Sequence, residues 1–352
     1  MPSHENAPAR VAVVGVGRMG GHHARTYHQM PGVELAAVVD HDEDRRETLA
    51  DQYGCRAYRD SAELLEKEPD LLGVSVAVPT RFHTPAAAPL LERGVACLIE
   101  KPLAGTLAEA MELAALAKKH DAVLQVGHTE RFNPAVRGVE KLKLVPRFME
   151  VDRVSPMTFR SLDVGVVMDM MIHDLDILLM LAQSPIAKVD AVGVAVLGDH
   201  EDVCDARLTF ANGCVATMTG SRLALNTTRK LRLFNEEAYV TLDYAKRTGL
   251  IIRKSGNDAA LSDVKQQLAA GADLSDLDFT DLINLEELEM DLPPEEEDPL
   301  TAQATAFLRC AREGGTPVVS AEQGCAAIDA AERIVAAIAA HRWDGLGSTK
   351  ID

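Results

Sequence analysis

The sequence predicts an α/β fold: a parallel sheet covered by helices on both faces, followed by an α+β domain with a large, mostly antiparallel open sheet. Three observations carry that expectation. Short apolar runs alternate with amphipathic stretches up to about residue 127. A glycine-rich turn separates the first run from the first of those stretches. From residue 189 to residue 253, strand-like segments follow one another with no helix between them.

Residues 11–14, Val-Ala-Val-Val, form a continuous apolar run, as a strand buried on both faces requires. Similar runs cover 33–39, 71–78, 95–99 and 122–126. Helical segments lie between them, such as 107–120 with Leu107, Met111, Leu113 and Leu116 on its apolar side. Strands alternating with helices argue for a parallel sheet. Later the texture changes. A helix is expected over 167–182, then strands over 189–197, 206–210, 214–221, 230–234, 238–244 and 250–253. Asn212-Gly213 is a hairpin signal between two of these. Residues 255–299 read as a solvated acidic insertion, partly helical, and 300–311 and 321–341 as closing helices. The expected domains are 1–127 and 128–352.

The 352 residues suit two domains, and 47% hydrophobic content suffices for sizeable cores. Basic residues number 36 against 54 acidic, a formal charge of −18 that disfavours nucleic acid as a partner. No apolar run reaches membrane-spanning length, and the polar N-terminus has no signal-peptide core, so a cytoplasmic protein with a small-molecule substrate is expected. The six cysteines are scattered and read as reduced thiols; no cluster has metal-ligand spacing.

Gly15-Val16-Gly17-Arg18-Met19-Gly20 is G-x-G-x-x-G between an expected strand and an expected helix. In that setting the first glycine permits a tight turn, the second admits a pyrophosphate close to the backbone, and the third lets helix and strand pack closely. N–H groups at the helix start then face the anion. Asp40 ends the second apolar run, 20 residues past Gly20. A carboxylate there accepts from ribose hydroxyls and repels a 2′-phosphate, so a Rossmann domain selecting NAD over NADP is expected. Arg45 and Arg46 read as solvated helix positions, and His22 and His23 as packing the first helix.

Glu100-Lys101-Pro102 after the fourth run, with the glycine turn and Asp169-x-x-x-His173, resembles the Gfo/Idh/MocA oxidoreductase family. The resemblance implies a Rossmann domain, a second domain whose open sheet makes homodimer or homotetramer contacts, and oxidation or reduction of a sugar or cyclitol carbon. It also implies a cis peptide at Lys101–Pro102. The loop Pro79-Thr80-Arg81-Phe82-His83 resembles the family's loop beside the cofactor, which implies that Pro79, Thr80, His83 and Glu100 are its neighbours. The stretch from Gly127-His128 through Arg131-Phe132-Asn133-Pro134, and residues 163–176, resemble the family's UDP-N-acetylglucosamine 3-dehydrogenase branch.

Alcohol oxidation needs a hydride acceptor over the carbon and an acceptor for the hydroxyl proton. Asp169 and His173, four apart on an expected helix, share a face, so His173 reads as general base and Asp169 as its orienter, with Asp176 extending the network. Lys101 can polarise the sugar oxygen, donate a proton in reduction, or itself be the base. His128, Arg131, Phe132 and Asn133 are substrate-contact candidates, and Arg131, Arg153, Arg160 and Arg222 are the candidate cations for the phosphates of a nucleotide sugar. Oxidation of a free sugar or inositol is the alternative. A non-catalytic NAD-binding sensor is a second, disfavoured by the proton-transfer groups.

Overall fold

The computed structural model describes residues 7–157, 164–273, 282–290, 292–293 and 298–343. The chain divides into two compact units, one of residues 1–133 with 292–333 and the other of 134–291 with 334–352.

Along the chain, the first unit begins with β1 (Ala9–Val14), α1 (Arg18–Gln29), β2 (Val33–Val39), α2 (Glu43–Tyr53), β3 (Arg56–Tyr58) and α3 (Ser61–Lys67). It continues with β4 (Gly73–Val76), α4 (His83–Glu92), β5 (Ala96–Glu100), α5 (Leu107–Lys119) and β6 (Leu124–Gly127). The six strands form one parallel sheet in the order β3-β2-β1-β4-β5-β6. Strand order reverses beside β1, and ligands bind at the carboxyl ends of strands at such a switch point. Those ends carry the glycine turn after β1, Asp40 after β2, the loop after β4 and Lys101 after β5. The fully buried runs Val11-Ala12-Val13 and Leu98-Ile99 match the expectation of strands covered on both faces. Helix α5 starts directly after the Lys101 turn with a capping box: Thr106 Oγ1 accepts from Glu109 N–H, and Thr106 N–H donates to the Glu109 carboxylate at 3.2 Å.

The second unit contains α6 (Pro134–Lys141), β7 (Phe148–Val154), α7 (Ile172–Ala182), β8 (Ile186–Val194), β9 (Val203–Phe210) and β10 (Val215–Ser221). Then come β11 (Thr228–Phe234), β12 (Ala238–Asp243), β13 (Thr248–Lys254), α8 (Asp258–Ala269) and β14 (Ile283–Glu287). The sheet order is β14-β13-β12-β11-β7-β10-β9-β8. Every pairing is antiparallel except β7 with β10. Strand β7 was not expected from the sequence, yet it occupies the middle of the sheet. Its inward positions are Met149, Val151 and Arg153, and the arginine breaks the apolar alternation. Within the acidic insertion, α8 and the exposed edge strand β14 are ordered elements of this unit.

The last helices are α9 (Pro299–Glu313) and α10 (Ala321–Ala340). Helix α9 belongs to the first unit, which therefore does not end near residue 127. Phe307 of α9 is fully buried in one core with Val11, Val13, Tyr27, Val38 and Leu98, a burial that contributes about 1.5–3 kcal/mol. The chain passes from the first unit to the second at Arg333/Ile334, within α10. Among the described residues, no helix is long and apolar enough to cross a membrane.

Candidate active site

The three glycines of the turn meet different demands. Gly15 has φ +86°, and a Cβ there would stand 2.6 Å from Val78 N. A Cβ on Gly20 would stand 1.7 Å from Gly15 O, so the fold itself excludes a side chain at both positions. At Gly17 a Cβ would meet no protein atom within 4 Å. Gly17 is exposed and caps α1, with no side chain satisfying the first N–H groups of the helix. Open space above unsatisfied donors at a helix start is the cradle a pyrophosphate fills, so the turn fits a dinucleotide.

Asp40 is buried and tied into the protein by both of its oxygens. One carboxylate oxygen accepts from Val16 N–H at 2.9 Å, clamping the turn to β2, and the other accepts from Asp42 N–H at 3.0 Å. The oxygen that accepts from Val16 keeps a second lone pair for a hydroxyl, while the other also has His41 Nδ1 at 3.3 Å. Arg46 faces Glu43 and Glu47 at 3.5 and 3.7 Å and the carbonyls of Asp40 and His41, while Arg45 pairs with Asp42 at 3.2 Å. Those guanidiniums are thus engaged with acidic neighbours, which suits NAD rather than a 2′-phosphorylated cofactor.

The loop after β4 carries exposed Pro79 and half-buried Thr80 at the start of a short 3₁₀ turn, next to the Gly15 contact at Val78. His83 opens the helix that follows this loop. Its ring is buried, with Nδ1 at 2.9 Å from Pro102 O and Nε2 at 3.0 Å from Val78 O. It clamps two loops together through their backbones. Burial lowers the pKa of this imidazole against the opposing pull of the carbonyls.

Lys101 is half-buried, and its peptide bond to Pro102 is cis, as the resemblance implied. Glu100 before it is buried; one oxygen lies 2.8 Å from His23 Nε2 and the other accepts from Lys101 N–H at 3.3 Å. His23 therefore packs α1, as expected, and also touches the Glu100-Lys101-Pro102 turn, a contact between segments 77 residues apart that no local pattern announces.

In the 3₁₀ turn Thr129–Phe132, Thr129 Oγ1 donates to Gln303 of α9 at 2.9 Å. His128 and Arg131 are buried, and the Asn133 amide donates to Glu130 at 3.2 Å. Phe132, at 1% exposure, is a core side chain.

In the second unit, Asp169 lies in a π-helical turn, Val167–Met171, where Ile172 N–H bonds to Val167 O. His173 is the second residue of α7, immediately afterwards. The expected single helix is thus two segments; π-turns of this kind recur at functional sites because they re-aim side chains. Asp169 and His173 are both half-buried, while Asp174 and Asp176 are buried. Gly220 of β10 lets Met171 approach, since a Cβ there would stand 2.5 Å from that side chain.

Two buried ion pairs stand behind these residues. Arg153 makes a two-armed pair with Asp174, through Nε and through Nη2 at 3.0 Å. Arg222 donates to Asp202 at 2.6 Å and to Val164 O at 2.7 Å. The other Asp202 oxygen accepts from Val196 and Leu197 N–H at 2.6 and 2.7 Å. Glu201 accepts from Val166 N–H through its carbonyl and from Val167 N–H through its carboxylate, at 2.9 and 3.2 Å, and so fixes the start of the π-turn. Arg153 and Arg222, two of the four candidate phosphate cations, pair with Asp174 and Asp202 in the interior. Arg160 lies outside the described residues. Among the described residues no group of three or more His, Cys, Asp or Glu could hold a metal ion.

Comparison with known proteins adds to this geometry. Residues 9–128 match the model of an oxidoreductase family with an NAD-binding Rossmann fold, and residues 147–241 match the GFO/IDH/MocA C-terminal domain. The chain is 37% identical over 240 residues to the UDP-N-acetylglucosamine 3-dehydrogenase of Acidithiobacillus ferrooxidans, covering 68% of this chain and 75% of that protein. The solved structure of a UDP-N-acetylglucosamine 3-dehydrogenase from the same organism superposes with a TM-score of 0.80 at 30% identity, covering 94% of this chain and 98% of the other. The myo-inositol 2-dehydrogenase of Thermotoga maritima is 26% identical over 270 residues, covering 71% and 79% of the two chains.

Proposed function

The chain belongs to the Gfo/Idh/MocA oxidoreductase family and is an NAD-dependent oxidoreductase; from that premise we propose that it oxidises the C3 hydroxyl of UDP-N-acetylglucosamine to a ketone. The observation that carries the substrate is the level of identity to a dehydrogenase of that name, well above that to the inositol dehydrogenase.

When bound, NAD supplies the hydride acceptor at the nicotinamide C4. The N–H groups after Gly17 hold the pyrophosphate, and Asp40 accepts from the adenosine ribose. Pro79, Thr80 and Glu100 flank the cofactor, and the Lys101 ammonium polarises the sugar oxygen. His173, oriented by Asp169, takes the hydroxyl proton as the carbon–hydrogen bond breaks and the carbonyl forms. His128, Arg131 and Asn133 orient the nucleotide sugar. The open sheet of the second unit makes the contacts of a homo-oligomer.

The test is incubation of the purified protein with NAD and a panel of UDP-sugars, free sugars and inositols, following NADH by absorbance and the keto product by mass spectrometry. The reading expects turnover of UDP-N-acetylglucosamine and its loss in Lys101→Met and His173→Ala. Turnover of inositol alone would establish the alternative substrate class. NAD binding without turnover of any substrate would favour a sensor.

A further inference from the structure

Glu100 is a carboxylate in the interior of the first unit, at the end of a fully buried strand. Its side chain lies over Gly127 of β6, where a Cβ would stand 3.2 Å from the carboxylate. Placing a charge there is costly unless hydrogen bonds satisfy it. The satisfying side chain comes from α1, the helix that opens at the glycine turn. His23 Nε2 meets Glu100 Oε1 at 2.8 Å, its Nδ1 lies 3.4 Å from Ser75 Oγ, and Ser75 Oγ lies 2.7 Å from Tyr27 Oη. All four residues are buried.

Neutral imidazole gives this row one consistent direction. Tyr27 donates to Ser75, Ser75 donates to Nδ1 of His23, and Nε2–H donates to Glu100. Burial pushes the Tyr27 phenol far up, so it remains a donor. Burial alone would also push the Glu100 carboxyl up, but the hydrogen bond from His23, the charge of Lys101 and the Lys101 N–H outweigh it and hold the group below the usual carboxylate range. The second Glu100 oxygen then receives Lys101 N–H. The row ends in the core at Tyr27, so it orders the turn and conducts no proton to solvent.

We infer that His23 is a positioning residue, which orients Glu100 and thereby sets the place of Lys101 and its surroundings. The inference rests on the reading of Lys101 as a catalytic group. A packing role alone would be met by leucine at this position; leucine leaves a buried carboxylate with no side-chain donor.

His23→Leu and His23→Gln, with Lys101→Met as reference, test the inference. His23→Leu is expected to lower kcat about 10- to 100-fold while KM and the NAD dissociation constant stay within about 3-fold. Its acid limb in the pH profile of kcat should move upward, because Glu100 loses the donor that keeps it ionised. His23→Gln, which places an amide N–H near the former Nε2, should restore the limb and most of kcat. In the cofactor-free protein, ¹⁵N imidazole spectra should show His23 protonated at Nε2, with the signal shifted in Glu100→Gln. An unchanged profile in His23→Leu would overturn the inference. So would equal losses in the two His23 variants that follow the folded fraction, or a proton at Nδ1. Wild-type turnover in Lys101→Met would remove both the catalytic lysine and its positioning residue. Inactive Lys101→Met beside a His23→Leu indistinguishable from wild type would sink the positioning role alone.

Discussion

Around the glycine turn and around the π-turn, buried carboxylates are satisfied by different chemistry. In the first unit, Asp40 accepts from backbone N–H groups and Glu100 from an imidazole and a backbone N–H. In the second, Asp174 and Asp202 each face a buried guanidinium, on Arg153 and Arg222. The first arrangement leaves the ligand side to bare backbone. The second spends its arginines on holding a helix start and a strand. An arginine in an acidic chain is therefore weak grounds for a phosphate site until its partner is known.

The largest effect that sharpens this contrast is loss of an arginine from the second unit. Arg222→Met leaves Asp202 buried with its charge uncompensated, so the unfolding transition of that unit should lose about 3–5 kcal/mol. Urea denaturation followed by hydrogen exchange of both units would measure it. A loss below about 1 kcal/mol would place the pair among ordinary surface bridges.

Next come the glycines. Gly20→Ala forces a methyl into Gly15 O and should cost about 1–3 kcal/mol or more in the first unit. Gly17→Ala meets open space and should leave stability within about 0.5 kcal/mol while weakening NAD about tenfold or more. Calorimetry and cofactor titration separate the two; equal losses of stability would break the distinction.

Acid should act on the second unit through Asp202. Burial raises its carboxyl, but the N–H groups of Leu197 and Val196 and the Arg222 guanidinium outweigh this and hold it below the usual value. The unfolded state then protonates first. The stabilisation is complete above about pH 4 and drains away as pH falls further, through the folded value. Asp202→Asn should flatten the acid dependence of stability, read from denaturation curves at several pH values.

The smallest effect is expected at Asp40. Asp40→Asn keeps one acceptor oxygen for two backbone N–H groups, so stability should fall by about 1 kcal/mol. NAD should weaken by about 3- to 10-fold and NADP by less, since the repelling charge is gone. Equal weakening of both cofactors would assign Asp40 to the turn alone.

Local requirements are legible in the sequence. The alternating apolar runs specify the parallel sheet, and Gly15 and Gly20 announce a turn that excludes side chains. Lys101 follows a strand whose apolar run ends at the ligand edge. Features that depend on partners far along the chain are not legible there. Strand β7 hides behind Arg153, whose buried charge is met by Asp174 from a helix far along the chain. The π-turn has no periodicity of its own, and the apolar face of α9 does not say which unit it covers. His83 stands in the expected loop, but only its two carbonyl neighbours reveal a clamp.

The sequence by itself determined that a dinucleotide cradle follows β1 and that Asp40 and Lys101 stand at strand ends, because backbone sterics and strand periodicity act over a few residues. Only the tertiary structure decided which charged side chains face a ligand and which face each other. Burial and pairing are relations between distant segments, and a buried charge takes its role from the group that satisfies it.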